Sequence, residues 1–510
     1  MDVHLTSTGS GDLTAQLYAQ LRAAVLGGRL RGGDRLPSTR ELAAELGVSR
    51  GTVTTAYDRL LAEELLEARR GSGTFVADGC APPTDGRRAR VGAIAPTSVW
   101  ATTGPATDRT PDRTPDRTPD RTTDLATGVV HDLSVGVPDV SLFPIATWQR
   151  LVRGALRREW LSTRTYADPG TGAAGTRLEA EIARHVGASR SVVAAGQDVV
   201  TTAGAQQALD LVARVLLEPG DVVAVEDPGY AAAARLLTTH RAVVRGVPVD
   251  GEGLVVDALP DAARLVHVTP SHQHPTGVAM SRARRVALLE WAVRHDAVIV
   301  EDDYDSEFRF AERPLEPLQS LDRDGRVVYI GSFSKSLLPA LRVGYAVAPA
   351  SLTPALREAK RVTVWDGDTA TQGALADFLA EGHHAAHVRR ATKVYRARRD
   401  ALLDELTRED GLAPWLEVVP SAAGLHVCTL LRDPGADDVE LAARSLRAGL
   451  LVEPLSVRHV EQRPRHGFVL GVGAIRVEQV RPALAVLRAV LRDVLSPSGR
   501  EPSRPGPGGG

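Results

Sequence analysis

At 510 residues the chain exceeds one ordinary domain and is long enough to bury a large core. A formal net charge of −2 offers no bulk electrostatic pull toward a partner, and its two cysteines, Cys80 and Cys428, lie too far apart in sequence for a redox or cysteine-based metal motif. With no basic-then-apolar leader and no apolar run of membrane-spanning length, the sequence reads as a soluble, cytoplasmic protein without a membrane partner.

Residues 1–77 read as a small helical unit. Leu13, Leu17, Leu21, Val25 and Leu26 recur at helical spacing after Asp12, a candidate cap, and stop at Gly27-Gly28. Ser38 can cap a second helix closed by Gly47, and Ser49 a third that buries Val53, Ala56, Tyr57, Leu60 and Leu61. This is helix-turn-helix spacing, and residues 65–77 read as two short strands around a Gly-Ser-Gly tip. The run from Leu36-Pro37-Ser38-Thr39-Arg40 through Ser49-Arg50-Gly51-Thr52 closely resembles the winged helix-turn-helix of GntR-type bacterial regulators. That resemblance implies that Ser38, Arg40, Ser49, Arg50 and Thr52 meet double-stranded DNA, with Gly73 letting the wing approach the minor groove. Small donors and an arginine at a helix N-terminus suit phosphates and guanine. Residues 12–77 hold nine arginines against eight acids, so affinity must come from a local basic face and from dimerisation.

Over 78–130 the pattern dissolves into Pro, Gly, Thr, Arg and Asp, including the four-residue repeat from Asp108 to Arg121. With almost nothing apolar to bury, this stretch is expected to be a disordered tether, its ends on the order of 35 to 40 Å apart.

Residues 131–495 alternate strand-like and helical runs, which implies a mainly parallel sheet covered by helices. Polar loops follow the expected strands. Thr202-Ala203-Gly204-Ala205-Gln206 opens a helix and turns its N–H groups toward an anion site. Asp227-Pro228-Gly229-Tyr230 could set an aromatic face over a planar ring. In Pro270 to Gly277 the histidines read as loop residues rather than metal ligands, because no third ligand of suitable spacing appears. Glu301-Asp302-Asp303-Tyr304 puts acids at the end of a buried strand, where a carboxylate can pair with a pyridine nitrogen. Lys335 then follows Tyr329-Ile330-Gly331-Ser332-Phe333-Ser334, and Arg342 begins Arg342-Val343-Gly344-Tyr345. The chain has only three lysines, so candidates for an amine nucleophile are few. Alone, Lys335 would read as a solvated surface lysine beside a turn; its neighbouring motifs decide otherwise.

In this order the motifs resemble fold-type I pyridoxal phosphate enzymes of the class I aminotransferase group, a large α/β fold with a small C-terminal α+β subdomain. The resemblance implies Lys335 as the Schiff-base lysine, Asp302 as partner of the ring nitrogen, Tyr304 as donor to the ring hydroxyl and Tyr230 as the stacking residue. It also implies backbone groups of Ala205 and Gln206, with Ser332 and Arg342, at the phosphate. His274 stands where aminotransferases carry asparagine before Pro-Thr-Gly. A GntR-like reader joined to this domain is the architecture of MocR/GabR-type transcriptional regulators. Membership implies a head-to-tail homodimer whose effector is pyridoxal phosphate itself, as in the vitamin B6 regulators of the family, or its adduct with an amino compound. Aminotransferases bind the substrate carboxylate with an arginine in a C-terminal strand, and Phe468 to Gly473 has none; Arg458, Arg463, Arg465 and Arg476 are merely near in sequence. A working aminotransferase with an appended reader is the alternative. The tail, 496–510, is expected to be disordered.

Overall fold

The computed structural model describes residues 13–69, 72–78, 129–159, 173–310, 316–421 and 423–495. The chain divides into two compact units, residues 1–96 and 97–510. The expected tether and tail lie almost entirely outside the described residues.

In the first unit α1 spans Leu13–Leu26, α2 Thr39–Leu46 and α3 Arg50–Ala62. Leu17, Leu21 and Val25 of α1 pack with Leu42, Val53, Ala56, Tyr57 and Leu60 in one buried cluster, as their spacing requires. Ser38 and Glu41 form a reciprocal capping box on α2, and Gly47 ends it in the left-handed conformation. The Tyr57 hydroxyl donates to the Pro37 carbonyl at 2.9 Å, tying α3 to the turn before α2. Strands β1 (Leu66–Arg69) and β2 (Gly73–Val76) pair antiparallel as the wing, and Arg35 bridges to Phe75 as a third edge.

The second unit is built on an eight-stranded sheet. Across it run Val199–Thr202, Gly344–Val347, Val327–Ser332, Val298–Asp303, Ala263–Val268, Val222–Asp227, Val243–Asp250 and Gly253–Leu254. The five central and neighbouring strands from Val327–Ser332 to Val243–Asp250 pair parallel, whereas Gly344–Val347 runs antiparallel to both its neighbours. Apolar clusters on both faces, one around Leu209 and Val212 and another around Leu288 and Trp291, explain why these strands read as continuous Val/Ile/Leu runs. A four-stranded sheet of Leu416–Val418, His426–Leu431, Gly467–Gly471 and Glu453–Pro454 forms the expected C-terminal subdomain. Helices His383–Thr407 and Val477–Leu495 pack on it. Among the described residues no helix is long and apolar enough to cross a membrane.

Candidate functional site

The loops after the parallel strands gather at one end of the sheet, where open α/β sheets bind ligands. Strand Val327–Ser332 ends at a turn that presents Lys335, whose Nζ donates to the Gly136 carbonyl at 2.8 Å. A Cβ on Gly136 would lie 2.3 Å from that Nζ, so the glycine, at φ +72°, leaves the room the ammonium occupies. Lys360, by contrast, is buried against the Thr201 hydroxyl at 2.9 Å. Lys335 is therefore the lysine at a strand end.

Asp302 and Asp303 close the adjacent strand, pointing to opposite faces as strand residues do. Asp303 accepts from Arg190 Nε at 2.7 Å and from the Tyr329 hydroxyl at 2.5 Å, a buried pair that belongs to the fold. Asp302 has a different environment: one oxygen lies 3.5 Å from His267 Nε2, and Oδ1 is buried with no partner. A buried acceptor left open is costly unless a donor arrives from outside the chain.

The helix Ala205–Leu216 begins at Gly204, which makes no side-chain cap, so the first N–H groups are uncommitted by capping. Gly204 has φ +90°, and a Cβ there would lie 3.0 Å from the Arg342 guanidinium, which donates to the Ala203 carbonyl at 2.6 Å. Arg342 is thus held against the turn that opens this helix. The Ser332 hydroxyl donates to Ser334 Oγ at 2.8 Å and accepts from Ser334 N at 3.0 Å, which shapes the turn. Gln206 contributes a side-chain amide to the Tyr230 hydroxyl at 3.2 Å.

Tyr230, His274 and Tyr304 pack edge to face, with ring centroids 5.8 and 5.7 Å apart. Burial, and then Asp302, push Tyr230 up; burial, and then Asp305 and Asp302, push Tyr304 well up. His274 is held well below the usual imidazole range by burial first and then by the Arg458 guanidinium.

Two partners were not legible in sequence. His426, from the small sheet, joins His272 and Asp305, so that one ligand atom of each lies within 4.8 Å of the others. The fold thus supplies the third ligand-type residue that the loop sequence lacked. Its contacts are those of a hydrogen-bond network: His272 Nδ1 meets Asp305 at 3.0 Å and His426 Nε2 donates to the Pro275 carbonyl at 3.0 Å. Burial, and then His272, push His426 down to about 3. The second is Arg458. Asp227 accepts from the backbone of Val460, Glu461 and Gln462 at 3.1, 2.7 and 2.8 Å, and Gly229 N donates to the Arg458 carbonyl at 3.0 Å. These bonds staple the segment beside Tyr230. The Arg458 side chain is 12% exposed and donates to Glu453, while its Nε is buried without a partner. Arg463, Arg465 and Arg476 make no contact with these residues among the contacts described.

On the reader, the Ser49 hydroxyl accepts from Thr52 N at 3.1 Å and lies 2.9 Å from Thr52 Oγ1, while Ser38 is committed to its capping box. Arg40 and Arg50 are exposed. Gly73 has φ +117°, a backbone conformation that favours glycine, and a Cβ there would approach Arg35 Nε to 3.2 Å.

Residues 130–470 match the family described as aminotransferase class I and II, a pyridoxal-phosphate-dependent family, and residues 13–76 match bacterial regulatory proteins, gntR family. The chain is 37% identical over 479 residues to the probable rhizopine catabolism regulatory protein MocR of Rhizobium meliloti, covering 93% of each. It is 33% identical to the pyridoxine biosynthesis transcriptional regulator PdxR of Corynebacterium glutamicum, over 93% of this chain and 94% of that one. Among solved structures, Pyrococcus horikoshii kynurenine aminotransferase, in complex with PMP, aligns with TM-score 0.67 and 26% identity over 75% of this chain and 95% of its own. The chain belongs to the MocR-type transcriptional regulators, in which a GntR-family DNA-binding unit is joined to an aminotransferase class I/II domain.

Proposed function

We propose that this regulator binds pyridoxal phosphate at the sheet end and that the bound cofactor, alone or joined to an amino compound, is the signal it passes to DNA. The observation that carries the reading is Asp302, whose buried Oδ1 has no partner at the strand end beside Lys335. A protonated pyridine nitrogen is a donor that this carboxylate can take. Lys335 would supply the amine, Arg342, Ser332 and the Ala205 and Gln206 N–H groups the phosphate site, Tyr230 the ring face, and Tyr304 and His274 the polar edge. The cofactor, when bound, supplies an electrophilic aldehyde and an electron-withdrawing ring. The protein's own groups bind, orient and shield it.

Gly467–Gly471 carries no arginine for a substrate carboxylate, which favours a sensor over a turnover enzyme. A second reading, an adduct with an anionic amino compound as effector, is favoured by Arg458, whose charge bears on Tyr230 and His274. On the reader, Arg40, Arg50 and the N-termini of α2 and α3 would meet double-stranded DNA, Ser38, Ser49 and Thr52 presenting those ends and Gly73 the wing. The working form would be a cytoplasmic head-to-tail homodimer with 78–130 as its tether. An effector switches such a system only if it binds two domain arrangements with different affinity.

The test is the absorbance spectrum of the purified protein with added pyridoxal phosphate, beside Lys335→Ala, each titrated onto its own upstream DNA. A visible band lost in the variant, with DNA affinity changed by cofactor, supports the proposal. No band in the unaltered protein removes it.

A further inference from the structure

The Asp305-His272 pair behind Tyr304 has no part in the cofactor contacts proposed above. His272 Nδ1 lies 3.0 and 3.1 Å from the two Asp305 oxygens and 3.0 Å from the Tyr304 hydroxyl. His272 is 2% exposed and Asp305 1%. A carboxylate can only accept, so the Nδ1 proton sits on the imidazole, shared between Asp305 and the Tyr304 oxygen. The Tyr304 oxygen is then an acceptor on the His272 side. Its own proton is free to be donated elsewhere.

Independent features hold the pair in place. Gly424, at φ +82°, leaves a space in which a Cβ would lie 1.9 Å from His272 Cε1 and 2.6 Å from Asp305 Oδ2. Gly277, at φ +79°, closes the other edge, where a Cβ would lie 3.1 Å from Nε2. Leu425 N donates to Asp305 Oδ2 at 3.1 Å. His272 Nε2 is buried without a partner, as fits a neutral ring whose one proton is on Nδ1. The His426 ring, 4.6 Å away, carries its proton on Nε2 toward Pro275. Burial pushes Asp305 up, and His272, His426 and the Leu425 N–H together more than offset it, leaving the carboxyl below its usual range and ready to accept. Tyr304 is otherwise faced by Asp302, Glu226 and Asp303 and by the His274 ring.

We infer that Asp305 and His272 are positioning residues that fix the Tyr304 hydroxyl as a hydrogen-bond donor toward the ring hydroxyl of the bound cofactor. This rests on the pocket reading proposed above. Without the Nδ1–H, Tyr304 can turn its proton toward His272's place and the cofactor oxygen loses its donor.

Full-length protein loaded with pyridoxal phosphate is titrated with pH while its visible band is followed, for the unaltered chain, His272→Gln, His272→Asn, Tyr304→Phe and the double variant His272→Gln/Tyr304→Phe. Asn keeps an N–H near the Nδ1 position and Gln does not. His272→Gln should raise the midpoint of the band's pH transition by about one unit, the loss of one hydrogen bond to a charged acceptor. His272→Asn should restore it, and in the Tyr304→Phe background His272→Gln should add nothing. An unmoved midpoint in His272→Gln, or an equal shift in the Tyr304→Phe background, overturns the inference while leaving the pocket reading intact. No band in the unaltered protein removes both. Should His272→Gln fail to fold, Asp305→Asn carries the same expectation.

Discussion

Asp302→Asn makes two measurements move in opposite directions. In the cofactor-free protein the Asp302 carboxylate is 6% exposed, with His267 Nε2 at 3.5 Å on one side and no partner for Oδ1. Leaving a buried charged acceptor open costs stability, so the neutral amide should raise the melting temperature of the cofactor-free protein by a few degrees, about 1 kcal/mol. With cofactor bound as proposed, the same change would replace a charge-assisted bond to the ring nitrogen by a neutral one. Bonds to charged groups contribute about 1.5–3 kcal/mol, and Asp302→Ala, which removes the acceptor altogether, should weaken pyridoxal phosphate about 10- to 150-fold. Asp302→Asn should fall between that and the parent. The affinity is best measured by fluorescence titration in a Lys335→Ala background, where no covalent bond masks the non-covalent terms. If Asp302→Ala binds within twofold of its parent, or Asp302→Asn melts lower without cofactor, the assignment of this carboxylate to the ring nitrogen is wrong.

Arg190→Leu should destabilise the large unit by about 3–5 kcal/mol in urea unfolding, because it leaves Asp303 buried without its cation, the two side chains being 5% and 3% exposed. Ser49→Ala should lower the melting temperature of the reader, since an N-cap contributes about 1 kcal/mol, whereas Arg50→Ala should leave melting unchanged and weaken DNA binding measured by anisotropy. Burial, and then Asp303, push Glu307 up to about 8 from 4.5. The unfolded chain therefore loses that proton first: the stability due to neutral Glu307 is complete below about pH 4.5 and is lost as pH rises toward about 8. Glu307→Gln should flatten the fall in melting temperature between about pH 5 and 8, and an unchanged slope would remove Glu307 from the account.

The sheet was legible because its strands are buried on both faces and read as unbroken apolar runs. The expected alternation of strands and helices is present, and the candidate-site loops follow from where those strands end. Helix caps were equally legible, since Ser38, Ser49 and Gly47 act on neighbours within four residues. Side-chain commitments over longer distances were not. Nothing near Pro270 announces that His272 will meet Asp305 on a different loop and His426 on a different sheet, because the pairing depends on two glycines that yield space to one imidazole. The linear order also concealed that Asp227, which reads as an ordinary turn residue, accepts three backbone N–H groups from residues 460–462.

That last bond set is what gives Arg458 its bearing on the effector. The strand Gly467–Gly471 carries no arginine that could hold a carboxylate. A cation, Arg458, nevertheless bears on Tyr230 and His274, its segment held by Asp227 and by the Gly229 bond to its carbonyl. Its pairing with Glu453 leaves the guanidinium partly neutralised, and its Nε has no partner. If the effector is the cofactor alone, nothing anionic beyond the phosphate needs this group, and Arg458→Gln should leave cofactor-dependent DNA binding unchanged. If the effector is an anionic amino compound joined to the cofactor, a group bonding to Nε should gain a charge-assisted bond, and Arg458→Gln should cost about tenfold or more in the amino compound's half-effective concentration. Measured by anisotropy on operator DNA with a panel of amino carboxylates and sulfonates at saturating pyridoxal phosphate, the two outcomes separate. A panel that moves the unaltered protein and Arg458→Gln equally would refute the role of Arg458 in effector recognition.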